Sequence, residues 1–177
     1  ILPENIKSAE QALFESKAGL IAKILSFNLK GKMQEVMKSI KVLTRIESPR
    51  EILNQETPRG KLIYQKFELV NSKYEELLRN AIKNKSDDPI FVFTYSDDEL
   101  SLTKDVANEL LYNFPDKIII FGRERSGEVR CSLRSAQHNV QKLLENGLIG
   151  VQGYGGGHEH ACGACIKKED FKQFVEN

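Results

Sequence analysis

Long apolar runs are missing from this chain, and none approaches the ~18–20 residues that a membrane-spanning helix needs. The start has no basic stretch leading into an apolar one, so the pattern of a secretory signal is absent. Ile1 stands where an initiator Met would, and we expect a piece of a longer chain. Cysteine is scarce: three residues are an odd number and make no disulfide framework, which suits a reducing, cytoplasmic setting. Charge of one sign is also lacking. The net charge of +1 projects no basic field toward nucleic acid, so any such surface has to be local. No nucleotide P-loop, serine-centred elbow or aspartate-rich metal motif occurs. What is present is ordinary for a globular protein: 177 residues, 40% apolar and 29% charged, enough for one domain or a compact pair.

The first part, residues 1–86, reads as an all-α connector. Ala9, Leu13, Leu20, Ile24 and Leu25 mark an early apolar stripe, with Glu4 at the positive end of the helix dipole. Gly31 punctuates it, and Val36, Ile40 and Leu43 mark a second short helix. Ser48-Pro49-Arg50-Glu51 is a start signal, with Ser48 as N-cap, Pro49 at the first helical position and Glu51 reaching back. Thr57-Pro58 repeats the device before a long helix. Its apolar positions Ile63, Phe67, Val70, Tyr74, Leu77 and Ala81 form a lengthwise seam, read as the core of a helical hairpin rather than a dimer element.

At Lys83-Asn84-Lys85-Ser86-Asp87-Asp88-Pro89 the composition turns polar, which marks a boundary. Residues 87–177 then alternate strand and helix. Ile90–Tyr95 and Lys117–Phe121 are short apolar runs read as buried strands, separated by a helix carrying Leu102, Val106, Leu110, Leu111 and Phe114. Arg123–Gly127 reads as a charged turn. Glu128–Arg134 alternates, with Val129, Cys131 and Leu133 on one face and Arg130, Ser132 and Arg134 on the other. A helix over Asn139–Asn146 stops at Gly147. A glycine loop, a strand over Ala161–Ile166 and a closing helix over Lys168–Val175 complete a small mixed α/β sheet with flanking helices.

The chemistry concentrates in Gly153-Tyr154-Gly155-Gly156-Gly157-His158. Ordering three glycines in a row is entropically costly, and bare backbone N–H groups beside an imidazole make a cradle for an anion such as phosphate. On the residues alone, a tight structural turn capped by His158 explains the stretch equally well. Ser132, Arg134 and Ser135 bring guanidinium and hydroxyl donors to the end of a strand one helix upstream, from where both segments converge on one ligand. A competing reading takes His158, His160, Cys162 and Cys165 as zinc ligands. The four are crowded into one segment, however. If that segment is extended, Cys165 faces away from the other three, and the cysteines read as small strand residues. Asp97, Asp98 and Glu99 read as a helix cap or a solvated cluster rather than a metal site.

Gly155-Gly156-Gly157-His158 followed by Ala161 and Gly163 resembles the Gly-Gly-Gly-His-x-x-Ala-x-Gly signature of the DHH phosphoesterase superfamily, in its C-terminal, DHH-associated domain. Ser132-Leu133-Arg134-Ser135 looks like the serine–arginine strand of that domain. Leu43-Thr44-Arg45-Ile46-Glu47-Ser48-Pro49 and Thr57-Pro58-Arg59-Gly60 are similar to the region joining the two domains of archaeal RecJ-like nucleases. The resemblance is specific over residues 87–177 and looser over 1–86. It implies that Gly155, Gly156 and Gly157 supply backbone donors, and that His158 and Arg134 bind phosphate oxygens with Ser132 and Ser135 helping. It also implies a separate N-terminal DHH domain that binds two Mn2+ or Mg2+ ions. This chain has no Asp-His-His triplet. The implied whole is therefore a single-strand-specific DNA or RNA exonuclease of which this is the substrate-binding part, inactive alone. Its implied partners are single-stranded DNA or RNA, its own N-terminal domain, and replication-complex proteins such as GINS. Three alternatives stand beside it: a phosphodiesterase of short RNA or cyclic dinucleotides, a non-catalytic nucleic-acid-binding scaffold, and the C-terminal part of an alanyl-tRNA synthetase-like protein.

Overall fold

The computed structural model describes residues 6–97 and 100–177. Glu4, Asp98 and Glu99 lie outside them. The chain divides into two compact units, Ile1–Glu75 and Glu76–Asn177, each described by itself below.

The first unit is helical. The early stripe is two helices rather than one, α1 (Ala9–Glu15) and α2 (Lys17–Asn28). Ser16 breaks them by taking an extended conformation, and its hydroxyl caps α2 by accepting from the Gly19 N–H. Then follow α3 (Met33–Leu43), α4 (Pro49–Leu53) and α5 (Pro58–Lys83), the last running on into the second unit. The capping box at α4 forms as its residues require, with Ser48 accepting from the helix start and Glu51 accepting from Glu47 and Ser48 N–H. The core gathers Ile24, Phe27, Ile52, Ile63, Phe67, Val70 and Tyr74, and the Phe27 ring lies 5.9 Å from Phe67 and 5.2 Å from Tyr74. The seam of α5 departs from expectation at one position. Leu78, not Leu77, is buried, because the straight helix advances 3.6 residues per turn and drifts off a 3.5-residue seam.

The second unit is a five-stranded mixed sheet in the order β1-β2-β3-β5-β4. Its strands are β1 (Ile90–Ser96), β2 (Ile118–Arg125), β3 (Glu128–Arg134), β4 (Gly153–His158) and β5 (Ala161–Lys167). β1 and β2 run parallel through α6 (Thr103–Asn113), and every other pair is antiparallel. The expected charged turn at Arg123–Gly127 is mostly strand. Ser126 and Gly127 both take positive φ (52° and 76°), the two-residue turn that keeps a hairpin's strands paired to their ends. Gly147 is the last residue of α7 (Val140–Gly147), where Phe174 packs so close that a Cβ would lie 2.8 Å from its ring, and the left-handed turn falls later, at Gly150 (φ 70°). The closing helix starts with a turn of 3-10 helix at Lys168–Asp170 and continues as α8 (Phe171–Glu176).

Alternation puts two different surfaces on the sheet. On one face Ile118, Ile120, Cys131, Leu133, Cys162, Ala164 and Ile166 pack under Val140, Leu144 and Phe174 of α7 and α8. The opposite face carries Phe91, Tyr95, Ile119, Phe121 and Arg134, and α6 covers its β1–β2–β3 side. Tyr95 Oη accepts from the Leu102 N–H at the helix start, and Arg134 Nε donates to Asn108 Oδ1 within it. Over β4 and the first half of β5 this second face is open: Gly163 and all six residues of β4 are exposed, whereas Cys165, further along β5, is buried.

Candidate functional site

The glycine segment is not a loop. It is the edge strand β4, laid along β5 with Gly156 opposite Gly163 and His158 opposite Ala161. β5 in turn pairs with β3, placing Ser132 opposite Gly163 and Arg134 opposite Ala161. Two rows therefore cross three strands on this second face, from the border of the α6 cover to the exposed edge: Ser132, Gly163, Gly156 and, beside it, Arg134, Ala161, His158. Strands lie about 4.8 Å apart, so Arg134 and His158 flank Ala161 across roughly 10 Å, and the rows are about 7 Å from each other. The result is a shallow tray. Its floor is Ala161, Gly163 and Gly156, and its polar groups rise from the sides. Small residues at 161 and 163 leave the floor flat, which gives the Ala-x-Gly part of the motif a steric reason.

The hydrogen-bond ladder sorts the glycine donors. The Lys167 N–H bonds the Gln152 carbonyl, which makes 152 and 167 a hydrogen-bonded pair. By antiparallel alternation, the N–H groups of Tyr154, Gly156 and His158 are then committed to β5, while those of Gly153, Gly155 and Gly157 point to the open edge. Backbone donation to an anion is thus left to Gly155 and Gly157, and Gly156 contributes open space. A Cβ on Gly156 would meet nothing within 4 Å. A Cβ on Gly157, at φ 154°, would lie 2.4 Å from the Ala161 carbonyl oxygen.

The side chains differ in availability. Arg134 is half-buried and held in place: Nε donates to Asn108 Oδ1 at 2.8 Å, and Nη1 donates to the carbonyls of Leu133 (2.8 Å) and Cys162 (3.0 Å). None of these bonds uses Nη2. Burial draws its pKa down from the ordinary arginine value, and the nearby Cys162 thiol opposes that; the group stays cationic at neutral pH. Ser132 sits on the floor row, nearly buried at 9% exposure. His158 is exposed on the far wall. Ser135 is elsewhere: it is fully buried, and its hydroxyl oxygen accepts from the N–H groups of Gln137 (3.3 Å) and His138 (3.1 Å) to shape the turn after β3.

The four zinc-type residues are distributed differently from one extended segment. His158 ends β4, His160 lies in the following turn and Cys162 is in β5, so the three share no strand. Cys162 points into the core face, its Sγ donating to the His158 carbonyl at 3.3 Å, and burial raises its pKa. Cys165 is on the tray face, its Sγ 3.2 Å from Glu128 Oε2. Among the described residues no group of three or more His, Cys, Asp or Glu side chains is arranged to hold a metal ion. The described side chains therefore do not fit the Mn2+ or Mg2+ that the resemblance implies. Asp97 Oδ1 accepts from the Leu100 N–H at 2.9 Å, a turn-forming role.

One participant escaped the linear reading: Asn108, which orients Arg134 from α6 and carries no motif of its own. Ala161 and Gly163 were visible as motif residues, and strand pairing adds their task as the floor.

Comparison with known proteins bears on the family and the fold. The family model of the DHHA1 domain matches residues 87–177. No curated protein matches the chain. Among solved structures, RecJ from Thermus thermophilus in complex with Mg2+ is similar at 17% identity and a TM-score of 0.61, over 90% of this chain and 24% of that one. The pGpG-specific phosphodiesterase PggH from Vibrio cholerae is similar at 17% identity and a TM-score of 0.58, over 96% of this chain and 59% of that one. Exonuclease RecJ bound to manganese follows at 15% identity and a TM-score of 0.56, over 94% and 42%. The chain spans less than two thirds of the length of each of these three relatives, and at such identities they show the shared fold. With the family model covering more than half of its length, the chain belongs to the DHHA1 family, the DHH-associated C-terminal domain found in DHH-superfamily phosphoesterases.

Proposed function

We propose that this chain is the substrate-holding part of a metal-dependent phosphodiesterase, a RecJ-like exonuclease acting on single-stranded DNA or RNA. The observation that carries the reading is the tray: Arg134, Ser132 and His158 aligned on one sheet face, from the border of the α6 cover to an exposed edge with outward N–H groups at Gly155 and Gly157. Arg134 Nη2, the His158 imidazole, the Ser132 hydroxyl and the two edge N–H groups donate to phosphate oxygens. Charge-assisted donors preset around one phosphodiester hold it in place and bear part of its charge. Divalent ions, which supply water activation when bound, belong in this reading to a preceding Asp-His-His domain. This chain's residues bind and orient. A second substrate class, very short RNA such as pGpG, is supported by the likeness to PggH over 96% of this chain.

Titration with a 5′-phosphorylated oligomer tests the reading. Losing one charge-assisted hydrogen bond of about 1.5–3 kcal/mol predicts roughly 10- to 150-fold weaker binding by His158→Ala. Arg134→Ala is expected to lose binding and also stability, since its guanidinium ties α6 to β3 and β5. The unaltered chain with manganese is expected to leave the oligomer uncut. Manganese-dependent cleavage that Asp97→Asn abolishes would place the active site in this chain and refute the division of labour.

A further inference from the structure

We infer that Tyr154 is a stacking platform for the nucleobase next to the phosphate in the tray, so that the site takes base-bearing nucleotides rather than phosphate groups in general. The inference rests on the phosphate reading above and adds a specificity element to it. Tyr154 shares its face of β4 with Gly156 and His158, two and four residues along. At about 3.3 Å per residue it stands roughly 7 Å from the centre of the tray. The residue is 70% exposed. Its neighbours on the same face are Gln152 and Gly156, so on the side toward the tray no side chain of its own strand shields the ring.

The row it belongs to supplies the rest. Tyr154 pairs with Cys165, and Cys165 pairs with Arg130. The Arg130 side chain is 60% exposed and is ion-paired to Glu128 at 3.5 Å. A shallow cavity of about 170 Å³ opens here, lined by Glu128, Gln152, Gly153, Tyr154, Cys165 and Lys167. A lone exposed aromatic is unremarkable in general. This one shares a cavity with Lys167 and a cross-strand row with Arg130, both ion-paired to Glu128, and lies one row from a phosphate tray. A flat ring with arginine nearby is what an unstacked base needs, and it reads every base alike because each has a π-face. The sugar holds the base away from its phosphate, which suits a platform one row from the tray centre. An aromatic or acidic side chain of a protein partner is the competing occupant.

The chain has no tryptophan, so Tyr154→Trp introduces its sole indole. The probes are a short 5′-phosphorylated oligothymidylate and the same backbone with abasic sugars. Quenching of the Tyr154→Trp fluorescence by the thymidylate and not by the abasic probe is expected. Tyr154→Ala should weaken the thymidylate about 5- to 150-fold and leave the abasic probe unaffected, while Tyr154→Phe should bind both as the unaltered chain does. Equal loss for both probes, or no loss for either, overturns the platform. His158→Ala separates the two readings. If it weakens both probes while Tyr154→Ala weakens neither, the platform alone fails. If it weakens neither, the phosphate tray fails with it.

Discussion

Gly156→Ala and Gly157→Ala change adjacent residues of one strand and should do damage of opposite kinds. At Gly157 the new methyl lands 2.4 Å from the Ala161 carbonyl oxygen and 2.7 Å from Cys162 Cα, with φ at 154°. Overpacking costs about 1–3 kcal/mol and a backbone held outside the ordinary L-residue region a similar amount. An edge strand can shift a little, so we expect a total of about 2–5 kcal/mol, or a fall in Tm on the order of 10 °C for a chain of this size. At Gly156 the methyl meets nothing within 4 Å, and φ is not positive there. Removing a glycine from the unfolded chain is then stabilising by about 0.4–1 kcal/mol. That methyl stands, however, in the middle of the tray, between Ser132 and the open edge. A misfit of one methyl is worth about 1–3 kcal/mol, which predicts roughly 10- to 200-fold weaker binding of a 5′-phosphorylated oligomer. Thermal unfolding followed by circular dichroism, and fluorescence anisotropy with a labelled oligomer, measure the two quantities independently. A Gly156→Ala chain that binds as before would show that no phosphate rests over the tray. A Gly157→Ala chain that melts as before would show that the glycine run is not dictated by packing against β5.

Three further outcomes follow from other contacts. Ser48→Ala removes the N-cap of α4 and should cost about 0.5–2 kcal/mol, seen as a lower midpoint in urea. The Glu47 N–H and then the Thr57 hydroxyl hold the Glu51 carboxyl below its ordinary 4.5, so its stabilisation is present above that pH and is lost as pH falls through the lowered value; Glu51→Gln should remove that part of an acid-unfolding curve. Burial pushes the Cys131 thiol up to about 12, so iodoacetamide at pH 8 should leave it unmodified in the folded chain and alkylate it in urea, as peptide mass mapping would reveal.

The helical and strand segments were largely legible in the sequence because their signals are local. Ser48-Pro49-Arg50-Glu51 carries its own start instruction, and Ile118-Ile119-Ile120 announces a buried strand whatever it pairs with. The two strand misreadings have separate physical origins. Glycine carries no side-chain pattern, so alternation is invisible along Gly153–His158, and an edge strand reads as a loop. Arg123 and Glu124 are charged, so they read as a turn; yet Arg123 is buried at 7% exposure, and Glu124 is ion-paired to Lys168. For the site, the residue types of the tray were visible, but their division of tasks was not. Ser135 looks like a phosphate donor until it is found fully buried in the turn after β3, and Gly156 looks like a backbone donor until strand pairing commits its N–H to β5.

That division also explains how one small sheet carries both stability and a binding surface. The face under α7 and α8 is filled with Ile118, Ile120, Leu133, Cys162 and Ile166, and deleting methylenes there is expected to cost stability first. The other face changes character midway, where α6 ends its cover at β3 and the side chains shrink to alanine and glycine. Arg134 stands at that border and belongs to both halves: Asn108 and two backbone carbonyls fix its guanidinium from the covered side, leaving Nη2 free of those bonds. A cation held this way loses little further side-chain entropy when it meets an anion, because folding has already immobilised it. His158, on the exposed edge strand, has no such support among the described residues. The two walls of the tray are therefore unequal. Arg134 is preset by the fold, whereas His158 is the exposed wall, and it is the one whose removal should change binding while leaving stability nearly intact.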